Sequence, residues 1–341
     1  MSYRLSICIP TFNRADLLGH CLRWLYENRA HMGSDVQVCI SDNCSTDATA
    51  EVIRSAQQHM PIKYRRNETN IGLVPNIMQA AAMADGDFVW MIGNDDLVMP
   101  GAVDRLLRVL TEQPHVDYVF ANAANLPAAR VLTCDHEFSA ADLPRDLPLW
   151  SHREDSGPLP FLDLIDPRVS FDFLGGIFLS VFRRSSWIKH LDILDQTSIA
   201  SAETFSCHDN TFPHVKIFAA AFARSTAYYS AEPLTVCLSG AREWAPLYPL
   251  VRSVRMVESL ERYRLAGLSR ERYWRLRNAT LRYFLPDMIW MYRHRDQSGF
   301  RYLSPLSLLR QNALFPNTYL SVIYFIARKM MQTRLALRRS S

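Results

Sequence analysis

Two periods of apolar residues take turns along the first 125 positions of the chain. Leu5-Ser6-Ile7-Cys8-Ile9 is a short apolar run closed by Pro10, which predicts a strand. Leu17, Leu18, Cys21, Leu22 and Leu25 then recur at spacings of three and four, the pattern of a helix with one apolar face. Strands are predicted again at 36–40, 62–64, 88–92 and 118–120. Helices are predicted at 47–58, 75–84 and 102–110, the first with Asp47 near its positive end. Strands alternating with helices imply an α/β, Rossmann-like fold: a mostly parallel sheet with helices on both faces. Ligands of such sheets bind outside the carboxyl ends of the strands, so the residues just after 9, 40, 64 and 92 are the place to look.

Beyond residue 125 the alternation fails. Pro127, Pro144, Pro148, Pro158, Pro160 and Pro167 punctuate a stretch read as loops and short pieces. Residues 171–182 are apolar around Gly175-Gly176. A helix is expected near 214–222, with strands at 227–229 and 234–238, and after residue 250 the pattern is helical and Arg-rich. Three regions follow: 1–125, 126–250 and 251–341.

Charge sharpens that division. The chain has 341 residues, 48% hydrophobic and 21% charged, with a net charge of +4. Residues 251–341 hold 18 Lys+Arg against 5 Asp+Glu, a local +13, so the first 250 residues carry −9. A mildly acidic front joined to a basic tail suggests different partners for the two. The seven cysteines are scattered with no CxxC pair, as in a reduced cytoplasmic protein. The start shows no signal-peptide pattern, and no run is long and apolar enough for a membrane span.

The ends of the predicted strands are polar. They read Pro10-Thr11-Phe12-Asn13-Arg14, then Asp42-Asn43-Cys44-Ser45-Thr46-Asp47, then Asn70-Ile71-Gly72, then Gly93-Asn94-Asp95-Asp96 with Pro100 following. Any one of these reads as a turn; four at one sheet edge converge on one cleft. In that order the set resembles glycosyltransferase family 2, of the GT-A fold, over roughly the first 125 residues. The acidic cluster and a later His208-Asp209 are similar to the branch that builds bacterial O-antigen, including abequosyltransferase-like proteins.

The resemblance implies a nucleotide diphosphate sugar as donor and a divalent metal, Mn2+ or Mg2+, that neutralises the leaving pyrophosphate. The family's Asp-x-Asp falls on Gly93, Asn94 and Asp95, so one carboxylate is missing. Asp95 is the expected first ligand, with Asp96 supporting it or touching the sugar; the alternative is a pair that only caps the helix near Pro100. Asp42 is expected at the nucleobase or ribose. Pro10, Thr11, Asn13, Arg14 and Asn94 would line the nucleotide, Arg14 being equally suited to a solvated helix start. Asn70 and Gly72 would shape a loop, the glycine permitting close backbone approach.

Transfer also needs a base for the acceptor hydroxyl. Asp209 holds the place where the family has an acidic pair, His208 replacing the usual Glu; the alternative is a helix cap. Glu203 is the reserve. Phe173-Leu174-Gly175-Gly176 reads as an acceptor floor or as a buried strand with a bulge.

In the tail, Arg252, Arg255, Arg262, Arg264, Arg270, Arg272 and Arg277 alternate with Tyr263, Tyr273, Trp274 and Tyr283. The end carries Arg328, Lys329, Arg334, Arg338 and Arg339 behind Leu320, Ile323 and Ile326. Basic aromatic helices suit an anionic membrane surface, and hence a saccharide acceptor on polyprenyl diphosphate at the inner face of the cytoplasmic membrane. A helical subdomain with a solvated Arg face is the alternative; no nucleic-acid motif is present. The expected function is thus metal-dependent, inverting glycosyl transfer in surface-polysaccharide synthesis. Its rivals are a catalytically weak nucleotide-binding scaffold and a nucleotidyltransferase, the latter disfavoured because residues 10–14 contain no Gly.

Overall fold

The structure is a computed structural model that describes residues 3–201, 203–240 and 245–339, with side chains described as far as residue 331. Arg334, Arg338 and Arg339 of the basic end therefore lie outside the described side chains. The chain divides into two compact units. One comprises Met1–Thr204 and Pro213–Arg242, the other Phe205–Phe212 and Glu243–Ser341.

The first unit opens with β1 (Leu5–Thr11), α1 (Ala15–Tyr26), β2 (Val36–Asp42), α2 (Thr49–Gln57), β3 (Ile62–Arg66), α3 (Leu73–Ala82) and β4 (Phe88–Met91). It continues through β5 (Asp96–Val98), α4 (Ala102–Glu112), β6 (Val116–Pro127), α5 (Ala128–Leu132), β7 (Gly157–Pro160), β8 (Ser180–Arg183), α6 (Arg184–Lys189), α7 (Gln196–Ile199), α8 (Pro213–Phe222) and β9 (Thr226–Ser239). The nine strands form one sheet in the order β3-β2-β1-β4-β8-β6-β9-β5, with β7 paired to β9.

Strands β3, β2, β1 and β4 run parallel, as the alternating pattern predicts. β8 joins β4 and β6 antiparallel, β6 and β9 run parallel, and β5 and β7 pair antiparallel with β9. β1 and β2 are enclosed along almost their whole length and read as continuous apolar runs. β3 is an edge, and Lys63, Arg65 and Arg66 keep it polar and exposed. Side chains of a strand alternate between faces. Ile7, Ile9, Val38 and Ile40 pack with Leu18, Leu22 and Leu25 of α1 and Leu106 and Leu110 of α4. Cys39 points the other way, its thiol donating to the Met83 carbonyl at 3.5 Å just beyond α3.

Two expectations change. The strands expected at 227–229 and 234–238 are one strand, interrupted in register rather than in course. Pairing jumps from Ala121↔Ser230 to Ala123↔Thr235, and Pro233, which has no N–H to donate, sits in the skipped stretch. Asn122 fills the gap by donating to the Ala231 carbonyl at 2.8 Å. The Phe173–Gly176 stretch is not a strand. Phe173 and Leu174 have φ of +54° and +66°, and the His214 ring nitrogen meets the Leu174 and Gly175 carbonyls at 3.1 and 3.0 Å.

The second unit is helical: α9 (Tyr248–Leu250), a π-helical turn Val251–Arg255, α10 (Met256–Ala266), α11 (Arg270–Thr280), α12 (Phe284–Arg293), α13 (Pro305–Asn312) and α14 (Pro316–Arg339). Leu250, Leu260, Tyr263, Leu281, Phe284 and Met291 are its buried core. Its alternation of basic and aromatic residues is largely internal packing. Arg252 stacks over Tyr248 and Tyr283, Arg277 over Phe315, and Arg282 over Tyr324. Arg255 is buried, held by Glu258 at 2.8 Å and by the carbonyls of Phe205 and Ser206.

Candidate nucleotide-sugar site

β1 is flanked by β2, reached through α1, and by β4, reached after the chain has turned outward to β3 and back. The chain reverses direction across the sheet here, and the crevice at the carboxyl ends of such strands is where open α/β sheets hold ligands. Thr11 ends β1, Asp42 ends β2, and the loop Ile92–Asp95 follows β4.

The acidic loop is built around Gly93. A Cβ placed there would lie 2.5 Å from the Asp95 Oδ1 and 3.0 Å from the Asp96 Oδ2. The space of the missing side chain is filled by the two carboxylates that follow it. Asp96 is buried, opens β5, and accepts the Gly93 N–H at 2.6 Å. Asp95 is half-buried, and its carbonyl accepts the Leu238 N–H of β9 at 3.1 Å. The Asn94 amide donates to the Thr11 hydroxyl at 2.9 Å. Neither aspartate caps the helix beyond Pro100, because Gly101, with φ of +72°, occupies that position. Beneath the loop, the Cys21 thiol is pushed well up, first by burial and then by the negative charges of Asp96 and Asp95.

Asp42 is fully buried. It accepts the Ser45 N–H at 2.8 Å and the Tyr64 hydroxyl at 3.0 Å, with the Arg66 guanidinium 3.7 Å away. Burial, and then the bond to Asp42, push Tyr64 up to about 12. Asn13 adopts φ of +48°, which asparagine tolerates. Its backbone N–H donates to the Ser45 hydroxyl at 2.9 Å and its side-chain oxygen accepts the Thr46 N–H at 2.7 Å. Pro10 is half-buried beside it, and the Arg14 carbonyl starts α1 by accepting from Leu18. Asp47 spans both loops, taking the Ala15 N–H at 3.0 Å on one oxygen and Thr49 on the other.

Asn70 accepts from Asn43 at 2.7 Å and from the Gly72 N–H at 2.9 Å. Gly72 precedes α3 with φ of +97°, and a Cβ there would meet Pro75 at an ordinary 3.6 Å. Its requirement is therefore a left-handed backbone rather than close approach. A network of amides missed in the sequence stands behind these loops. Asn76 accepts from Ser41 at 2.8 Å and donates to the Ser41 carbonyl at 3.1 Å, and Asn67 reaches both Asn76 and Asn43. The signal available was only the number of asparagines near the strand ends.

Asp209 belongs to the second unit. It is buried in a turn where Thr211 and Phe212 both donate to the His208 carbonyl. α8 begins at Pro213, so the residue before it is Phe212 rather than Asp209. The Asp209 Oδ1 lies 3.8 Å from the His208 Nδ1, and the His208 Nε2 meets the Ser259 hydroxyl at 3.1 Å. Ser259 already donates to the Arg255 carbonyl, which makes the His208 Nε2 the donor and leaves Nδ1 toward Asp209. Burial holds the His208 pKa below its usual 6.5. Glu203 is exposed in a loop of the first unit.

Sheet, crevice and acidic loop together have the arrangement of the GT-A fold. Residues 6–129 match the model of glycosyl transferase family 2, and the chain spans less than two thirds of the length of the curated relatives it matches. The chain is 28% identical over 242 residues to the abequosyltransferase RfbV of Salmonella typhimurium, covering 68% of this chain and 66% of that protein. It is 31% identical over 111 residues to a Campylobacter jejuni protein described as GalNAc(5)-diNAcBac-PP-undecaprenol beta-1,3-glucosyltransferase, covering 32% of this chain and 35% of that one. Among solved structures, S. aureus TarS in complex with UDP-GlcNAc aligns over 82% of this chain and 72% of its own, with a TM-score of 0.57 at 16% identity. That likeness is one of fold.

Proposed function

We propose that the protein transfers a glycosyl unit from a nucleoside diphosphate sugar to a saccharide acceptor carried on polyprenyl diphosphate, in bacterial surface-polysaccharide synthesis. The observation that carries this reading is the gathering of the Asp95 and Asp96 carboxylates at Gly93, tied to Thr11 at the end of β1. Oxygen donors grouped in this way fit a hard divalent cation, Mn2+ or Mg2+. Asp95, half-buried in the loop after β4, is the residue that would hold the metal, with the neighbouring Asp96 carboxylate supporting it. When bound, the cation supplies positive charge to a departing diphosphate.

The chain's own groups do the rest. Thr11, Asn13 and Arg14 line the nucleotide, with Asp42 holding the Ser45 turn and Tyr64 in place behind them. Asp209 takes the proton of the acceptor hydroxyl, with inversion at the anomeric carbon. The lipid-linked acceptor is supported by the undecaprenol-linked substrate named for the Campylobacter relative. It implies a peripheral enzyme at the inner face of the cytoplasmic membrane.

The test is a thermal-shift series of UDP, GDP, CDP and dTDP, each with Mn2+, Mg2+ or EDTA, since a ligand of the native state raises the midpoint. One nucleotide stabilising only with metal supports the donor site. No shift with any of them favours a scaffold without turnover, the reading suggested by Gly93 and His208 standing where the family has acids. The anomeric linkage of the product, read by proton NMR, tests inversion.

A further inference from the structure

The helix α14 is built inside out. Among its described side chains the buried ones are Thr318 and Ser321, both small and polar. Thr318 donates to the Asn312 carbonyl at 2.7 Å; Ser321 donates to the Thr318 carbonyl at 2.8 Å and accepts the Leu285 N–H of α12 at 3.3 Å. Tyr319, Ile323, Ile326 and Met330 recur at spacings of four, three and four on the other side, and are 58, 61, 52 and 56% exposed. A helix that packs only on its own domain turns its apolar stripe inward. This one spends its polar side on the domain and presents its apolar side outward.

We propose that this outward face docks onto an anionic lipid surface, lying in the plane of the interface. From Gln297 to Ser341 the chain has seven Lys+Arg and no Asp or Glu. Arg328 and Lys329 stand between Ile326 and Met330, Arg328 turned to the Tyr283 hydroxyl at 3.4 Å and Lys329 over the Phe325 ring. A second copy would oppose two segments of the same positive charge, whereas an anionic bilayer complements both the charge and the apolar stripe. Among the described residues no helix is long and apolar enough to cross a membrane, so the contact is lateral. The proposal deepens the lipid-linked reading, on which the choice of a membrane rests in part, and names the element that makes the contact.

The experiment is cosedimentation of the full chain with vesicles of phosphatidylcholine alone or with about one third phosphatidylglycerol. Binding is expected to the anionic vesicles and to weaken with salt. The double variant Ile323→Ser/Ile326→Ser is expected to bind at least about tenfold more weakly, and Lys329→Ala about fivefold. These side chains are exposed, so the variants should keep the wild-type thermal midpoint. The proposal is overturned if the chain stays in the supernatant with anionic vesicles, or if the double variant sediments as wild type does. It is equally overturned if the chain ignores vesicles but self-associates in sedimentation velocity in a way the double variant disperses. Transfer to a water-soluble acceptor reads the chemistry without docking, so failure of either reading is separable from failure of the other.

Discussion

The Asn94 side-chain amide donates to the Thr11 hydroxyl across 2.9 Å, joining the loop after β4 to the end of β1. Thr11→Val keeps the shape of the side chain and removes the acceptor. We expect a loss of about 1 kcal/mol in denaturant unfolding and a several-fold weaker affinity for the stabilising nucleotide by calorimetric titration. Weaker folding with unchanged nucleotide affinity would show that the bond holds the loop without positioning it.

The two adjacent aspartates should separate in their effects. Asp95→Ala is expected to abolish the metal-dependent nucleotide shift and the transfer activity, at a smaller cost in unliganded stability than Asp96→Ala because Asp95 is half-buried where Asp96 is buried. Asp96→Ala strands the Gly93 N–H and should cost about 1–3 kcal/mol of stability before any ligand is added. Equal destabilisation by both substitutions would sink this division of labour.

Gly93 leaves its side-chain space to its neighbours. Gly93→Ala brings a methyl group to within 2.5 Å of the Asp95 carboxylate, which must then swing away. Because the displaced atom ends a flexible side chain, the expected cost is at most about 1 kcal/mol in urea unfolding, with the main effect a loss of the metal-dependent shift. A variant with wild-type stability and metal response would refute the crowding.

His208 sets an acid limit. Its folded pKa lies below the ordinary 6.5 because burial disfavours the charged ring. The stability this contributes is complete above pH 6.5 and is lost as the pH falls through 6.5 toward the lowered folded value. Thermal midpoints measured on acidification should fall through that window, and His208→Gln should flatten the fall. The same acid slope in the variant would assign it to other groups.

Much of the first unit was legible because its strands obey local rules. β1 and β2 are buried on both faces and read as apolar runs, and α1 and α4 carry their stripes at helical spacing. The polar strand ends pointed to the crevice for the same reason. What stayed hidden depends on pairing across long separations. β5 is three residues long and begins inside the acidic cluster, so nothing local marks it. The contacts of Asn76 with Ser41 and Asn67 exist only once β2 and α3 are side by side. Asp209 follows a loop into the other unit, which no periodicity reports. The apolar stripe of α14 was visible, but periodicity cannot say whether such a stripe faces in or out.

The crowding at Gly93 also makes three positions of the loop one unit. An acidic side chain introduced at position 93 would enter the space now taken by the Asp95 and Asp96 carboxylates, so its effect would depend on what those two residues are, and substitutions at 93, 95 and 96 should not add.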